Sequence, residues 1–444
     1  MKKGVIFLLL FFSCALQAQD ITGKWYAYAN MKRVKLRLIY DIQKTSGGYA
    51  ATLQIPDQSE ESYPGTVDFA TNRLTISTPA TGMVCQGELQ ADGSITGIIR
   101  QDDYPFELKL TRIPVLFKRP QTPHPPFPYS TEEVRFSNAE SGITLAGTLT
   151  LPDTLGKYPA VIIISGSGPS TRDGEQFEHK TFLVIADYLA RRGIAVLRYD
   201  DRGTGRSGGE YQGASIPEFA TDAESAIAYL RSRQEVLPDK VGAIGHSEGG
   251  FVAFQVAAHK KADFIITLAG GGTDGRELLL MQRAALLEAS GAPKNFIRYY
   301  NNYMRQAQEI ALQSGNIQVC ASKLQELFHG TPLENQVEAV TRQLYNPATL
   351  GLLSFDPEDY YADITCPVLA LNGEKDVQVP PANLPLIRKG LESNGNTQVT
   401  AILYPRLNHL FQTAETGLLL EYSDMEETFS IQALKDIADW IKAR

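Results

Sequence analysis

At 444 residues the chain exceeds what one ordinary hydrophobic core organises, so at least two domains are expected. Its 42 Lys and Arg against 50 Asp and Glu leave a formal charge of -8 with no basic stripe, which argues against nucleic acid as a partner. A hydrophobic content of 43% is enough for sizeable cores and fits a soluble globular protein.

Lys2 and Lys3 precede an uncharged apolar run from Gly4 into FLLLFFSCALQA. The run is short for a membrane span and has the form of a secretory signal cleaved after Ala18, so residues 1–18 are set aside as a signal peptide. The expectation is an exported protein, periplasmic or extracellular, without stable membrane insertion. Lipoprotein anchoring through Cys14 is the alternative, against which Phe11, Phe12 and Ser13 form a poor lipid-attachment context. Cys85, Cys320 and Cys366 are too scattered for a disulfide framework, and no Cys/His spacing suggests zinc, so they read as small buried hydrophobes.

From Ile21 to Ile113 short alternating runs (KLRLIYDI, GGYAATLQI, RLTIST, CQGEL, ITGIIR, FELKLTRI) are separated by turn residues, with a hairpin signal at Ala91, Asp92 and Gly93. They predict a small all-β domain over 19–113, barrel-like or sandwich-like, without a catalytic constellation. Tyr26, Tyr28, Tyr49 and Tyr63 read as strand aromatics before they read as a ligand surface. Residues 114–129 follow as a linker, part of a stretch from Ile113 to Tyr129 with six prolines in seventeen positions, extended and semi-rigid.

From residue 130 to 444 two strands (EEVRFSN, ITLAGTLTLP) lead into alternating strand and helix, the pattern of a mainly parallel sheet covered on both faces. Strands are expected at Ala160–Ser165, Ile194–Tyr199, Lys240–Gly245, Phe264–Ala269, Val368–Asn372 and Val399–Tyr404. A tyrosine-rich helical insertion, about 274–357, is too long for a plain connection and reads as a cap over the sheet's carboxyl edge.

Gly245, His246, Ser247, Glu248 and Gly249 spell G-x-S-x-G between a strand and a helical pattern, the context in which a serine is held on a sharp, exposed turn. A serine hydroxyl needs a base to remove its proton, and the base needs an acid to fix its tautomer. Of six histidines, only His409 follows a strand at the expected edge; His246 sits inside the turn and is expected to point away from Ser247. Asp376, just past the strand ending at Asn372, is the acid, with Glu374 as runner-up. The oxyanion donors are expected to be the amides of Glu248 and of Ser167 in Ser165-Gly166-Ser167-Gly168-Pro169, with Gly166 as the alternative.

ISGSGPSTRDG, YDDRGTGRSGG, GHSEGG, NGEKDVQVP and NHLF together resemble the α/β-hydrolase superfamily, and within it the bacterial carboxylesterases with a GSGP loop, the EstD-like group, and the serine aminopeptidase S33-like hydrolase domain. The resemblance covers Val134 to Trp440 and implies an α/β-hydrolase fold with a helical cap. It also implies a serine esterase of short acyl esters that needs neither metal nor organic cofactor, with a small-molecule ester as its partner. Ser165 stands where many members have histidine. Rivals are a peptidase or thioesterase with the same triad, and a ligand-binding protein with a vestigial hydrolase domain. Gly203, Gly205 and Gly208 form a G-x-G-x-x-G, but Pro217 delays the next helix, so dinucleotide binding is not expected and Asp200, Asp201 and Arg202 read as a loop-fixing charge network.

Overall fold

A computed structural model describes residues 20–31, 34–58, 61–101, 104–153 and 155–444. The leader expected over 1–18, with Cys14, lies outside the described residues. The chain divides into two compact units between Leu116 and Phe117, inside the proline-rich stretch.

The first unit is a meander of eight antiparallel strands: β1 Gly23–Met31, β2 Val34–Thr45, β3 Gly48–Gln54, β4 Ser62–Ala70, β5 Arg73–Thr78, β6 Met83–Leu89, β7 Ile95–Gln101 and β8 Tyr104–Leu110. Each strand pairs with the next in sequence, and Tyr26 exchanges two 2.8 Å backbone hydrogen bonds with Thr111, so the last strand's end returns to the first. Closing a sheet on itself removes its exposed edges. Alternate residues point inward, and Trp25, Leu38, Tyr40, Ile42, Leu53 and Ile76 fill the interior. Trp25 donates its indole N–H to Ile21 O at 2.8 Å, which satisfies the one polar atom that ring buries.

In the second unit β9 Ser130–Asn138, β10 Ile143–Leu151, β11 Tyr158–Ile164, the two-residue β12 Glu175–Gln176 and β13 His179–Lys180, β14 Ala195–Tyr199, β15 Val236–His246, β16 Phe264–Leu268, β17 Val368–Gly373 and β18 Val399–Tyr404 are the strands. All but the β12–β13 hairpin join one sheet in the order β18-β17-β16-β15-β11-β14-β10-β9. β9 and β10 run antiparallel and the remaining strands are parallel, so successive parallel strands need crossover helices. These are α1 Thr181–Ala190, α2 Ile216–Arg231, α3 Gly249–Ala258, then, after the insertion, α10 Asn383–Ser393, with α12 Ile431–Lys442 closing the chain. Two apolar clusters lie on the two faces: α2, α3 and α10 contribute Ala223, Phe254 and Ile387 to one, α1 and α12 contribute Ile185 and Ile437 to the other. β11, β14, β15 and β16 are buried end to end over their last residues, which is why they read as continuous apolar runs.

The insertion contains α4 Gly275–Ala289, α5 Lys294–Gln313, α6 Ile317–Phe328, α7 Val337–Leu344 and α8 Pro347–Leu353, followed by the single turn α9 Glu358–Tyr361. Asp274, Asn316 and Asn346 each accept a backbone N–H in the first turn of α4, α6 and α8, fixing those starts. Leu280, Met304, Cys320, Leu324, Phe328 and Leu344 give this cap its own core. A further turn, α11 Leu419–Tyr422, lies between β18 and α12.

The proline-rich residues from Phe117 onward lie on the second unit. Arg119 donates to the carbonyls of Phe177, Ser423 and Met425, and Gln121 bridges Thr428 and Phe429. Cys85, Cys320 and Cys366 are free thiols. Among the described residues no helix is long and apolar enough to cross a membrane.

Candidate active site

Ser247 occupies the turn between β15 and α3 with φ +56°, a left-handed conformation that costs a non-glycine residue energy and that surrounding structure must hold in place. Its amide donates to Leu268 O at 2.8 Å, and its carbonyl accepts from Gly250 N at 2.9 Å. The glycines two positions either side are steric requirements. A Cβ on Gly245 would come within 2.0 Å of Gly249 O, and one on Gly249 within 2.4 Å of Ser165 O. The turn is tight enough that only hydrogen fits where strand, helix and the loop after β11 converge.

Asp376 lies just beyond β17 and is 2% exposed. Its Oδ1 accepts the amides of Gln378 and Val379, both at 2.8 Å, and its Oδ2 accepts from His409 Nδ1 at 2.8 Å. With both oxygens engaged the carboxylate is fixed, and the Nδ1 proton leaves His409 Nε2 without hydrogen, the tautomer a general base requires. Ser247 and His409 line one cavity of 490 Å3. Among the described residues no hydrogen bond joins the two side chains directly. Glu374 is exposed and accepts the Arg406 amide at 3.4 Å, away from His409's partner oxygen.

The loop after β11 lies against Ser247. A Cβ on Gly166 would stand 3.0 Å from Ser247 Cβ, and Gly166, Ser167 and Gly168 line the cavity. Hydrogen bonding narrows which amides are free to meet a ligand. Gly168 N donates to Tyr211 Oη at 2.8 Å and Ser170 N to Asp201 Oδ2 at 2.8 Å. Among the described residues the amides of Gly166, Ser167 and Glu248 donate to no protein acceptor, so both expected loop candidates remain available beside Glu248. The Ser167 side chain donates to Glu248 Oε2 at 3.0 Å, linking the two expected donor residues.

Asp201 clasps both ends of this loop. Its Oδ1 accepts the Ser165 hydroxyl at 2.6 Å, its Oδ2 the Ser170 amide, and its own amide donates to Ser170 O. Burial pushes its carboxyl up to about 7, with Asp222 and Asp200 adding to the rise. Asp200 is held bidentately by Arg172, and Arg202 by Asp222. The Asp-Asp-Arg run is therefore a scaffold for the loop, and α2 begins at Ile216, well past the glycines of the G-x-G-x-x-G pattern.

His246 makes a contact that the sequence reading did not assign. Its ring is buried 4.8 Å from that of His409, and its Nε2 donates to His409 O at 3.0 Å. Burial, and then the nearby His409, push its imidazole down to about 3, which keeps it neutral with the proton on Nε2. The residue before Ser247 thus holds the main chain of His409. Sequence offered only its place in the motif; the ring's direction depends on where the loop after β18 returns. Tyr422, also missed, receives the Gln378 carboxamide at 3.0 Å, and its carbonyl accepts from His179 Nε2 at 3.1 Å. His179 is fully buried, with Thr428 Oγ1 2.9 Å from its Nδ1, and burial lowers it to about 4.

Parallel strands with crossover helices on both faces, a serine on a strand-to-helix elbow, and an acid and a histidine on later strand ends define an α/β hydrolase. Consistent with that class, the sequence model described as X-Pro dipeptidyl-peptidase (S15 family) matches residues 141–400, and the chain belongs to this family. The esterase EstD of Thermotoga maritima is 26% identical over 273 residues, 61% of this chain and 59% of that protein. The chain thus matches about three fifths of that relative's length. A monoacylglycerol lipase of Mycolicibacterium smegmatis is 24% identical over 288 residues, 63% of this chain and 91% of the lipase. The solved esterase Pf2001 of Pyrococcus furiosus superposes with a TM-score of 0.44 at 15% identity, covering 74% of this chain and 97% of that one.

Proposed function

We propose that the protein is an exported serine hydrolase that cleaves carboxylic esters, short acyl esters foremost, through an acyl-enzyme intermediate. The observation carrying this reading is the Asp376–His409 hydrogen bond, which leaves Nε2 free in the same cavity as a serine on a strained elbow. In the proposed reaction His409 Nε2 takes the Ser247 proton as Oγ attacks the acyl carbon. Glu248 N and the amide of Ser167 or Gly166 receive the developing oxyanion. His409 then protonates the departing alkoxide, and the acyl-serine is hydrolysed by a water that His409 deprotonates. Asp376 keeps the imidazole oriented and offsets its transient positive charge.

The names of the two relatives, an esterase and a monoacylglycerol lipase, agree with ester substrates. The family description supports a second reading, cleavage of peptides after proline by the same triad. Comparison of p-nitrophenyl butyrate with Gly-Pro-p-nitroanilide on the full-length protein separates them: the ester is expected to turn over and the anilide to be left nearly intact. Ser247→Ala should reduce ester turnover by roughly 10^4-fold or more with unchanged circular dichroism, and should abolish fluorophosphonate labelling. A variant that still hydrolyses the ester would refute the assignment. Export belongs to the proposal through the apolar leader, and an amino terminus at Gln19 on protein recovered from outside the cytoplasm is the expected result.

A further inference from the structure

The walls of the cavity beside Ser247 differ in chemistry. α4 and α8, packed on one another, contribute Leu278, Leu279, Ala348 and Leu352, a mainly apolar wall supplied by the cap in which Gln282 and Thr349 are the polar residues. The segment from the loop after β11 to β12 contributes Ser167, Ser170, Glu175 and Gln176, all hydrogen-bonding groups. Charge is distributed as unevenly: Glu175 and Glu248 line the cavity, and among the described lining residues there is no lysine or arginine. The cations flanking this segment are engaged by carboxylates. Lys180 lies 3.4 Å from Glu175 and 3.8 Å from Asp173, and Arg172 is bound to Asp200 and Glu133 at 2.7 Å each.

An anion entering such a cleft gives up hydration and meets carboxylates, and the cation beside them, Lys180, is already shared between Glu175 and Asp173. A hydroxylated, uncharged group gives up far less and finds donors and acceptors in Ser167, Gln176 and Glu175. An alkyl chain finds its surface on α4 and α8. Resting on the hydrolase reading above, the geometry points to an uncharged ester as the substrate, its acyl tail against α4 and α8 and its hydroxylated alcohol against residues 166–176, with phosphorylated alcohols rejected.

The test uses the full-length protein with 1-butyrylglycerol and 1-butyrylglycerol 3-phosphate, which share acyl chain and scissile bond and differ in one charged group. Release of butyrate should give a kcat/KM at least about tenfold higher for the uncharged ester, the scale expected of unmatched like charge at a partly buried site. The ratio between the two esters should shrink in the Glu175→Gln, Glu248→Gln double variant and at raised salt. Equal kcat/KM values overturn the proposal, as does a ratio that the double variant leaves unchanged, since the discrimination would then be one of size. Fluorophosphonate labelling of Ser247 in the same preparation separates the two levels. Labelled protein that cleaves neither glycerol ester overturns the substrate class; protein that is neither labelled nor active on p-nitrophenyl butyrate overturns the hydrolase reading beneath it.

Discussion

The two units of this chain are each organised by an eight-stranded sheet, and they use their strand ends in opposite ways. In the barrel every strand pairs with its sequence neighbour, so the turns are short and its apolar side chains are spent on filling the interior. In the hydrolase unit the order β18-β17-β16-β15-β11-β14 forces crossovers, and the loops after β11, β14, β15, β17 and β18 emerge from the same edge. Residues 247, 376 and 409 reach one place only by that route. Backbone strain follows the same division: among the described residues the barrel's non-glycine positive φ values are confined to the hairpin Thr71 and Asn72, whereas the hydrolase unit has them at Phe177, Glu178, Ser247, Lys260, Ala269, Arg406 and Phe411. A meander makes a stable body; crossovers make a gathering point, and most of the strained positions follow the strand ends that form it, Lys260 ahead of β16 being the exception.

Three changes probe that contrast. Asp376→Asn should lower kcat on an acyl ester by roughly 10^3–10^4-fold with little change in melting temperature, because it disturbs the histidine's tautomer and not the packing. An unaltered kcat would remove Asp376 from the proposed triad. Trp25→Ala should do the reverse: emptying the barrel interior costs about 3–5 kcal/mol in denaturant unfolding, while ester turnover stays within twofold. A large loss of turnover would mean that the barrel does more than stand as a body of its own.

The third and smallest change concerns His179, whose folded value of about 4 lies below its ordinary 6.5. Between these values the unfolded chain binds the extra proton, so the contribution is intact above about 6.5 and is lost as pH falls toward 4, by at most about 3 kcal/mol. His179→Gln should flatten the acid limb of the stability curve of the hydrolase unit. The same slope in variant and parent would assign the acid sensitivity elsewhere, to His246 first, whose depression to about 3 is the deeper of the two.

What could be read from sequence tracks how local the physical constraint is. The elbow is legible because its glycines answer to contacts as close as 2.0 Å within a few residues of chain. Asp376 and His409 are legible because parallel strands deliver their carboxyl ends to one edge, which makes position along the chain a guide to place. Two barrel strands left only a weak alternating signal. β4 has no buried residue and contains Pro64 and Gly65, while β1 turns Ala27 and Ala29 inward and Tyr26 and Tyr28 toward the other face, inverting the usual contrast of sizes. The contact of His246 was not legible for a different reason. Its partner lies 163 residues away, and no property of the elbow foretells where that loop comes back.

The grip of His246 on the carbonyl of His409 has a consequence for how this centre tolerates movement. The contact joins the side chain of the residue before Ser247 to the main chain of His409, so a displacement of the β18 loop that kept it would be felt at the elbow. One hydrogen bond thereby ties together two turns that are 163 residues apart along the chain.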